Sequence, residues 1–266
     1  MLTMKLGIIA DYRAESFDKA ARQGLEFLEF CVNVGVPAAT FTALVPELKA
    51  ASERTGVGVA SIGRWGPDRI AKDGSINEEE LNAAYALIDA CQELGCPVFV
   101  SGCNYVEELT YYENITAAIN LFTVLIEYGK ARGVSIATYN CHWNNFIVDD
   151  TAWKLIHGHL PELGIKYDPS HARYAGQDYL KEIVDWGSRI KHVHIKGSVI
   201  VDGKRFDDPP AGLDQTDWGT FMSVLYGVGY QGGLSIEPHS HTWMGELGDK
   251  GVQYTIGYFN RLLLRG

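Results

Sequence analysis

The chain has 266 residues, 46% of them hydrophobic, with a formal net charge of -10 and a pI near 5.3. Barrels of the α/β class commonly fill about 250 residues as one domain, so the length does not demand two. The acidic balance, with no run of Lys or Arg to neutralise phosphates, excludes a nucleic-acid surface, and no stretch approaches the roughly 18 apolar residues of a membrane span.

Five cysteines occur, Cys31, Cys91, Cys96, Cys103 and Cys141, with no CxxC pair among them. An odd number in a chain of this length predicts free thiols and a cytoplasmic location. The opening MLTMKLGIIADYRAE is too short and too soon charged for a signal peptide.

From there, short apolar runs alternate with longer stretches of helical spacing. Lys5–Ala10, Leu25–Phe30 and Val57–Ile62 read as the first three strands. A helix over Glu79–Leu94, with Leu81, Ala84, Leu87 and Ile88 on one side, precedes a strand at Val98–Ser101. A helix over Thr116–Arg132 leads to Val134–Tyr139. Strands at Gly164–Tyr167, His192–Ile195 and Leu234–Ile236 follow, with helices at Thr216–Tyr226 and Val252–Leu264. Gly24, Gly56, Gly95, Gly133 and Gly164 stand where a left-handed helix stop is expected. Eight strands, eight crossovers and no break in composition predict a single α/β domain over residues 1–266, a closed (β/α)8 TIM barrel. The rival is an open doubly wound sheet. It would carry a glycine-rich nucleotide loop after strand one, but Ala10-Asp11-Tyr12-Arg13 follows and no GxGxxG is present.

In such barrels the chemistry sits on the loops at the C-terminal strand ends. Strand six runs into Tyr167-Asp168-Pro169-Ser170-His171, strand seven is His192-Val193-His194-Ile195-Lys196, and strand eight ends Ile236-Glu237-Pro238-His239. Three successive strands thus deliver a carboxylate or an imidazole to one barrel mouth. Oxygen donors with one imidazole suit a divalent ion, manganese first, with cobalt, magnesium or zinc as alternatives. Each residue also has a plainer reading. Asp168 before Pro169 suits a turn or a helix N-cap. His192 and His194 share a face by strand alternation, so one can serve as a hydrogen-bonded core histidine. Glu237 ends an apolar run and needs a partner wherever it lies.

The segments GVSIATYN (133–140), GIKYDPSHA (164–172), IKHVHIKG (190–197) and GYQGGLSIEPH (229–239), with Asp217-Trp218, resemble the xylose-isomerase-like barrel superfamily, in particular its sugar phosphate isomerase/epimerase branch. The resemblance covers the second half of the chain; the first half matches in βα rhythm. It implies metal ligands at Asp168, His194 and Glu237. Lys196 and Arg205 also follow the family pattern, as substrate contacts. It further implies a Glu on strand five, where this chain reads Tyr139-Asn140-Cys141-His142. His142 could restore a ligand or a base, and Asn140 could ligate through its amide oxygen or touch substrate.

Glu237 is the first candidate for general base, with His142 or His171 as the second acid/base. Arg64 and Trp65, just past strand three, suit a hydroxyl or anion and a sugar ring face; Trp65 packing under its own loop is the alternative. Glu29 at the end of strand two could orient a ligand. Tyr111, Tyr112, Trp143, His239 and His241 are open candidates, whereas His157 and His159 read as surface residues. The long Ser198–Asp214 loop is expected to roof the pocket and carry Arg205. Together these imply a metal-dependent isomerase or epimerase acting on a small sugar-like substrate through an enediolate, with no membrane or nucleic-acid partner. The missing strand-five Glu raises a dehydratase or lyase as the alternative. A non-catalytic decayed barrel and an apurinic-site endonuclease follow behind. Oligomeric state stays open, a homo-oligomer included.

Overall fold

The computed structural model describes residues 4–265. The first half of the chain runs β1 (Lys5–Ile9), α1 (Ala14–Arg22), β2 (Phe27–Cys31), α2 (Ala38–Thr42), α3 (Val45–Thr55), β3 (Gly58–Gly63), α4 (Glu78–Glu93), β4 (Val98–Ser101), α5 (Tyr111–Lys130), β5 (Ser135–Tyr139) and α6 (Asp150–His159). The second half runs β6 (Gly164–Tyr167), α7 (Pro169–Tyr174), α8 (Tyr179–Trp186), β7 (Ile190–Ile195), the hairpin β8 (Val199–Val201) and β9 (Lys204–Asp207), then α9 (Trp218–Gly227), β10 (Gly233–Ile236) and α10 (Gly245–Leu262). Eight parallel strands close in the order β1-β10-β7-β6-β5-β4-β3-β2, and β8-β9 stand outside as an antiparallel pair. The predicted TIM barrel is the fold. No described helix is long and apolar enough to cross a membrane.

Two apolar clusters form. The larger lies between strands and helices, with Phe30, Leu87, Phe122 and Ile165 fully buried in it. The smaller gathers Trp65, Val98, Val100, Ala137 and Tyr139 from β4, β5 and the end of β3. Register carries the interior onward. Tyr139 pairs with Lys166, Lys166 with His192, and Ser235 with His194. Residues in register share a face, so the β6, β7 and β10 side of the interior is polar where the β4–β5 side is apolar. That asymmetry positions the site.

Element ends moved for local reasons. Helix α5 begins at Tyr111 rather than Thr116, because Thr110 and Glu113 form a capping box: Thr110 Oγ1 accepts from Glu113 N at 3.2 Å and Glu113 Oε2 accepts from Thr110 N at 2.8 Å. Gly164 is no helix stop but the first residue of β6. A Cβ there would lie 2.4 Å from Lys191 Cγ, so the need is for close approach of β7. His157 is no surface residue. It is fully buried on α6, with Nε2 3.0 Å from Thr138 Oγ1 and Nδ1 3.2 Å from Leu163 O. His159 is exposed.

Candidate active site

The C-terminal mouth of the barrel holds a cavity of about 330 Å³, within the size range of small-molecule sites. Its floor is made by successive strand ends. Asp168 follows β6 and caps α7, its Oδ1 accepting from Ser170 N at 2.8 Å. Asn140, just past β5, grips the backbone of the same residue: Asn140 Oδ1 accepts from Asp168 N at 3.0 Å and its Nδ2 donates to Asp168 O at 2.9 Å. Both ends of that amide are thus committed. Expected as a ligand or substrate contact, Asn140 lies outside the cavity lining and clamps Asp168. The N-cap and site readings of Asp168 hold at once, since Oδ1 caps while Oδ2 is buried and accepts no hydrogen bond.

His194, from β7, stands between two carboxylates. Its Nδ1 is 2.7 Å from Glu237 Oε2, and its Nε2 is 2.9 Å from both oxygens of Glu29 on β2. Glu29 Oε2 also lies 2.8 Å from His192 Nε2. An ionised carboxylate only accepts, so each imidazole donates to Glu29. Lys196 Nζ lies 3.0 Å from Asp168 Oδ2, 3.4 Å from Glu237 Oε2 and 3.1 Å from His171 Nε2. With no aligned donor on Oδ2, its approach to Asp168 is an ion contact rather than a directed hydrogen bond.

Charge follows from these contacts. Burial pushes the Glu237 carboxyl up, but Lys196 and His194 outweigh it and hold the group well below the usual carboxylate range. Asp168 is likewise depressed against burial, by Lys196 and His171. In Glu29, His194 and His192 overcome burial in the same direction. Burial pushes the His171 imidazole down to about 3, beyond what the attraction of Asp168 restores. His171 is therefore neutral at ordinary pH.

Two groups of side chains could hold an ion: Asp168, His194 and Glu237 form one, and Glu29, His192 and His194 the other, the donor atoms of each lying within 4.8 Å of one another. The first opens on the cavity through His194 and Glu237 and fits a divalent ion. Its donors are oxygen-rich, Asp168 Oδ2 has an unused lone pair, and Glu29 holds the far nitrogen of His194, an arrangement that fixes a ligating imidazole.

The walls are aromatic. Trp65 is buried and stacks on Tyr139, ring centroids 5.4 Å apart and planes at 23°; Trp143 is half-exposed at the rim. Glycine makes room for both. A Cβ on Gly63 would sit 2.0 Å from the Trp65 ring, and Gly66, at φ +90°, would meet the Trp143 ring at 2.9 Å. Arg205 reaches the cavity from β9, held by Asp208 and 3.3 Å from His239 Nδ1. The loop after strand seven is therefore a hairpin that lays an arginine over the mouth.

Other candidates lie elsewhere. Arg64 does not line the cavity. It is buried against Glu80 of α4 in a two-pronged ion pair, Nε to Oε2 and Nη2 to Oε1 both 2.7 Å, with Val36 O 2.9 Å from Nη1. Its role is to tie the β3 loop to that helix. His142 is exposed and outside the cavity lining, so the strand-five side has Cys141 where a carboxylate was expected. Tyr111 and Tyr112 are exposed at the start of α5 and line nothing here. One charged lining residue escaped the sequence reading: Lys166, inside β6, two residues before Asp168. The signal was a charged residue in a strand whose two faces are both buried.

The family model described as xylose isomerase-like TIM barrel matches residues 17–261. The chain belongs to this family. Among its relatives, the Bacillus subtilis (strain 168) protein YfiH is 27% identical over 164 residues, which are 54% of this chain and 52% of that protein; the match spans about half of each. Solved structures share the fold over nearly the whole length. D-psicose 3-epimerase from Clostridium cellulolyticum H10 has a TM-score of 0.77 at 16% identity, covering 99% of this chain and 100% of that one. The 3-keto-D-glucoside 4-epimerase YcjR from E. coli has 0.75 at 17%, covering 97% and 100%. A xylose isomerase domain protein from Planctomyces limnophilus has 0.76 at 12%, covering 98% and 96%. At such identities the family likeness is one of fold.

Proposed function

We propose that this member of the family is a metal-dependent isomerase or epimerase of a small sugar or sugar-derived ketone, working through an enediolate. The observation that carries the reading is the convergence of Asp168, His194 and Glu237 at the edge of one aromatic-walled cavity, which His194 and Glu237 line. These three would hold the ion, manganese first by their chemistry, with cobalt, magnesium or zinc as alternatives. A divalent ion there supplies polarisation of the substrate carbonyl.

The chain's own residues do the rest. Glu237 is the proposed base. Lys196 and His194 keep it ionised, and its carboxylate borders the cavity where a carbon-bound proton would be presented. Neutral His171 accepts from Lys196 and so orients it; with its imidazole at about 3 it is a weak proton acceptor, and it cannot begin as an acid. Trp65 and Trp143 offer ring faces to the C–H surface of a sugar.

A dehydratase or lyase is the second reading. Epimerisation by two bases needs a second base across from Glu237. That side presents Cys141, whose thiol burial pushes up and out of use as a base at neutral pH. One base beside an enediolate is enough to expel a β-substituent.

The test is substrate-hydrogen exchange in D₂O with the manganese-loaded protein, across ketoses, an inosose and 3-keto-glycosides. Exchange with the substituents retained supports the isomerase or epimerase. Release of water or an alcohol selects the lyase. Absence of exchange and of product across the panel sinks both.

A further inference from the structure

Among the described residues, three Lys and Arg side chains border the cavity, and the protein treats them differently. Lys196 lies against Asp168, Glu237 and His171. Arg205 is held by Asp208. Lys166 is 2% exposed, yet it makes no ion pair with any described carboxylate within 4.0 Å and no side-chain hydrogen bond. In register it is flanked by Tyr139 and His192, neither of them anionic.

The Lys166 side chain is buried to its tip and opens only on the cavity, and an ammonium placed there with no protein partner is costly to the folded state. Packing does not ask for it, since a methionine fills comparable space without the charge. It lies beside the strand-five wall that has no carboxylate, so the chain itself supplies no anion on that side. Asp168 and Glu237 feel its charge and are held down in part by it, but neither comes into contact, so an anion that touches the ammonium would come in through the cavity.

We infer that Lys166 is a substrate-binding residue and that the substrate is a sugar acid, a polyhydroxylated carboxylate whose charged end reaches down to Lys166. A phosphate is the poorer match. Phosphate sites usually gather several free donors, often at a helix N-terminus; here Lys196 and Arg205 are already engaged by Asp168, Glu237 and Asp208, and the one ammonium without a contacting carboxylate lies among Tyr139, His192 and Cys31. The inference rests on the reading of this cavity as a sugar-converting site, because it assigns one end of that sugar.

The test compares ligands that differ at one end. Binding of D-gluconate, D-glucitol and D-glucose 6-phosphate is measured by calorimetry on the chelator-treated protein, so that no ion contributes. The wild type, Lys166→Met and Lys166→Gln are used, and each variant's melting temperature is taken without ligand. The wild type should bind gluconate at least about ten-fold more tightly than glucitol, the worth of a charge-assisted hydrogen bond. Both variants should lose that preference while melting at or above the wild-type temperature. A structural lysine would instead lower the melting temperature and leave the preference intact. That result overturns the inference, as does a wild type that binds gluconate and glucitol alike or prefers the phosphate. If Lys166 governs the preference but D₂O exchange is absent, the proposed reaction falls and the carboxylate site stands. Exchange on neutral ketoses with no role for Lys166 in binding gives the reverse.

Discussion

The Nε2 of His194 lies 2.9 Å from both carboxylate oxygens of Glu29, so one face of the imidazole is tied to β2 while Nδ1 points to Glu237 and the cavity. Glu29 is wholly buried and also holds His192. A carboxylate in that position sets which nitrogen is free to ligate. Replacing Glu29 with Gln should therefore weaken manganese binding by about 10- to 100-fold with the ligands themselves intact, as read by metal titration. His194→Ala should strip the metal, and full occupancy in that variant by elemental analysis would falsify the ligand assignment.

Glu237 should matter beyond holding an ion. General base catalysis contributes about 10²–10⁴-fold. Glu237→Gln keeps an oxygen donor of the same shape but cannot take a proton. With metal content matched to wild type, its D₂O exchange rate should fall by at least the lower of those factors. An unchanged rate would leave Glu237 a ligand only, and the search for the base would turn to His171, which lies 3.4 Å from Asp168 Oδ2.

Arg64 and Glu80 should behave as structure rather than catalysis. Their side chains are 7% and 15% exposed and share two 2.7 Å contacts. Removing one partner of a buried pair costs about 3–5 kcal/mol, because the other charge is left behind. Arg64→Met should lower unfolding stability on that scale, somewhat less for the residual exposure of Glu80, with substrate affinity unchanged in whatever protein remains folded. Loss of affinity with stability intact would put Arg64 back in the pocket.

The barrel was legible because its grammar is local: eight apolar runs, each a few residues long, separated by helical stretches. The late strand ends were legible for a related reason. Asp168, His194 and Glu237 break apolar runs at one end, and residues of that kind at a barrel mouth face the same cavity. The first half of the chain hid its contributions. Glu29 could be read as a strand-end acid able to orient a ligand, but its partner His194 lies 165 residues away in sequence and three strands around the barrel, and nothing local names it. Arg64 misled for the complementary reason. It sits where a substrate contact belongs, but its partner Glu80 lies on the following helix, and the sequence does not announce the pair. Lys166 could have been found by asking why a charged residue interrupts a buried strand.

His157 gives the fold a pH dependence separate from the site. Burial lowers its imidazole from the ordinary 6.5 to about 4, more than the Leu163 carbonyl can offset. The depressed value means that the unfolded chain binds a proton more readily than the folded one between those two pH values. The stabilisation from keeping His157 neutral is thus fully present above about pH 6.5. It is lost as pH falls, and the loss is complete near pH 4. At about 1.4 kcal/mol per unit the whole effect is on the order of 3 kcal/mol, of which about 2 kcal/mol should be gone by pH 5. His157→Gln keeps a neutral polar group beside Thr138 and Leu163 but cannot titrate. Denaturant unfolding at pH 7.5 and pH 5 should show the wild type losing about 2 kcal/mol more than the variant between the two. Equal losses would mean that folding leaves the His157 pKa unshifted, with the protonated ring donating from Nε2 to Thr138 Oγ1 and from Nδ1 to Leu163 O.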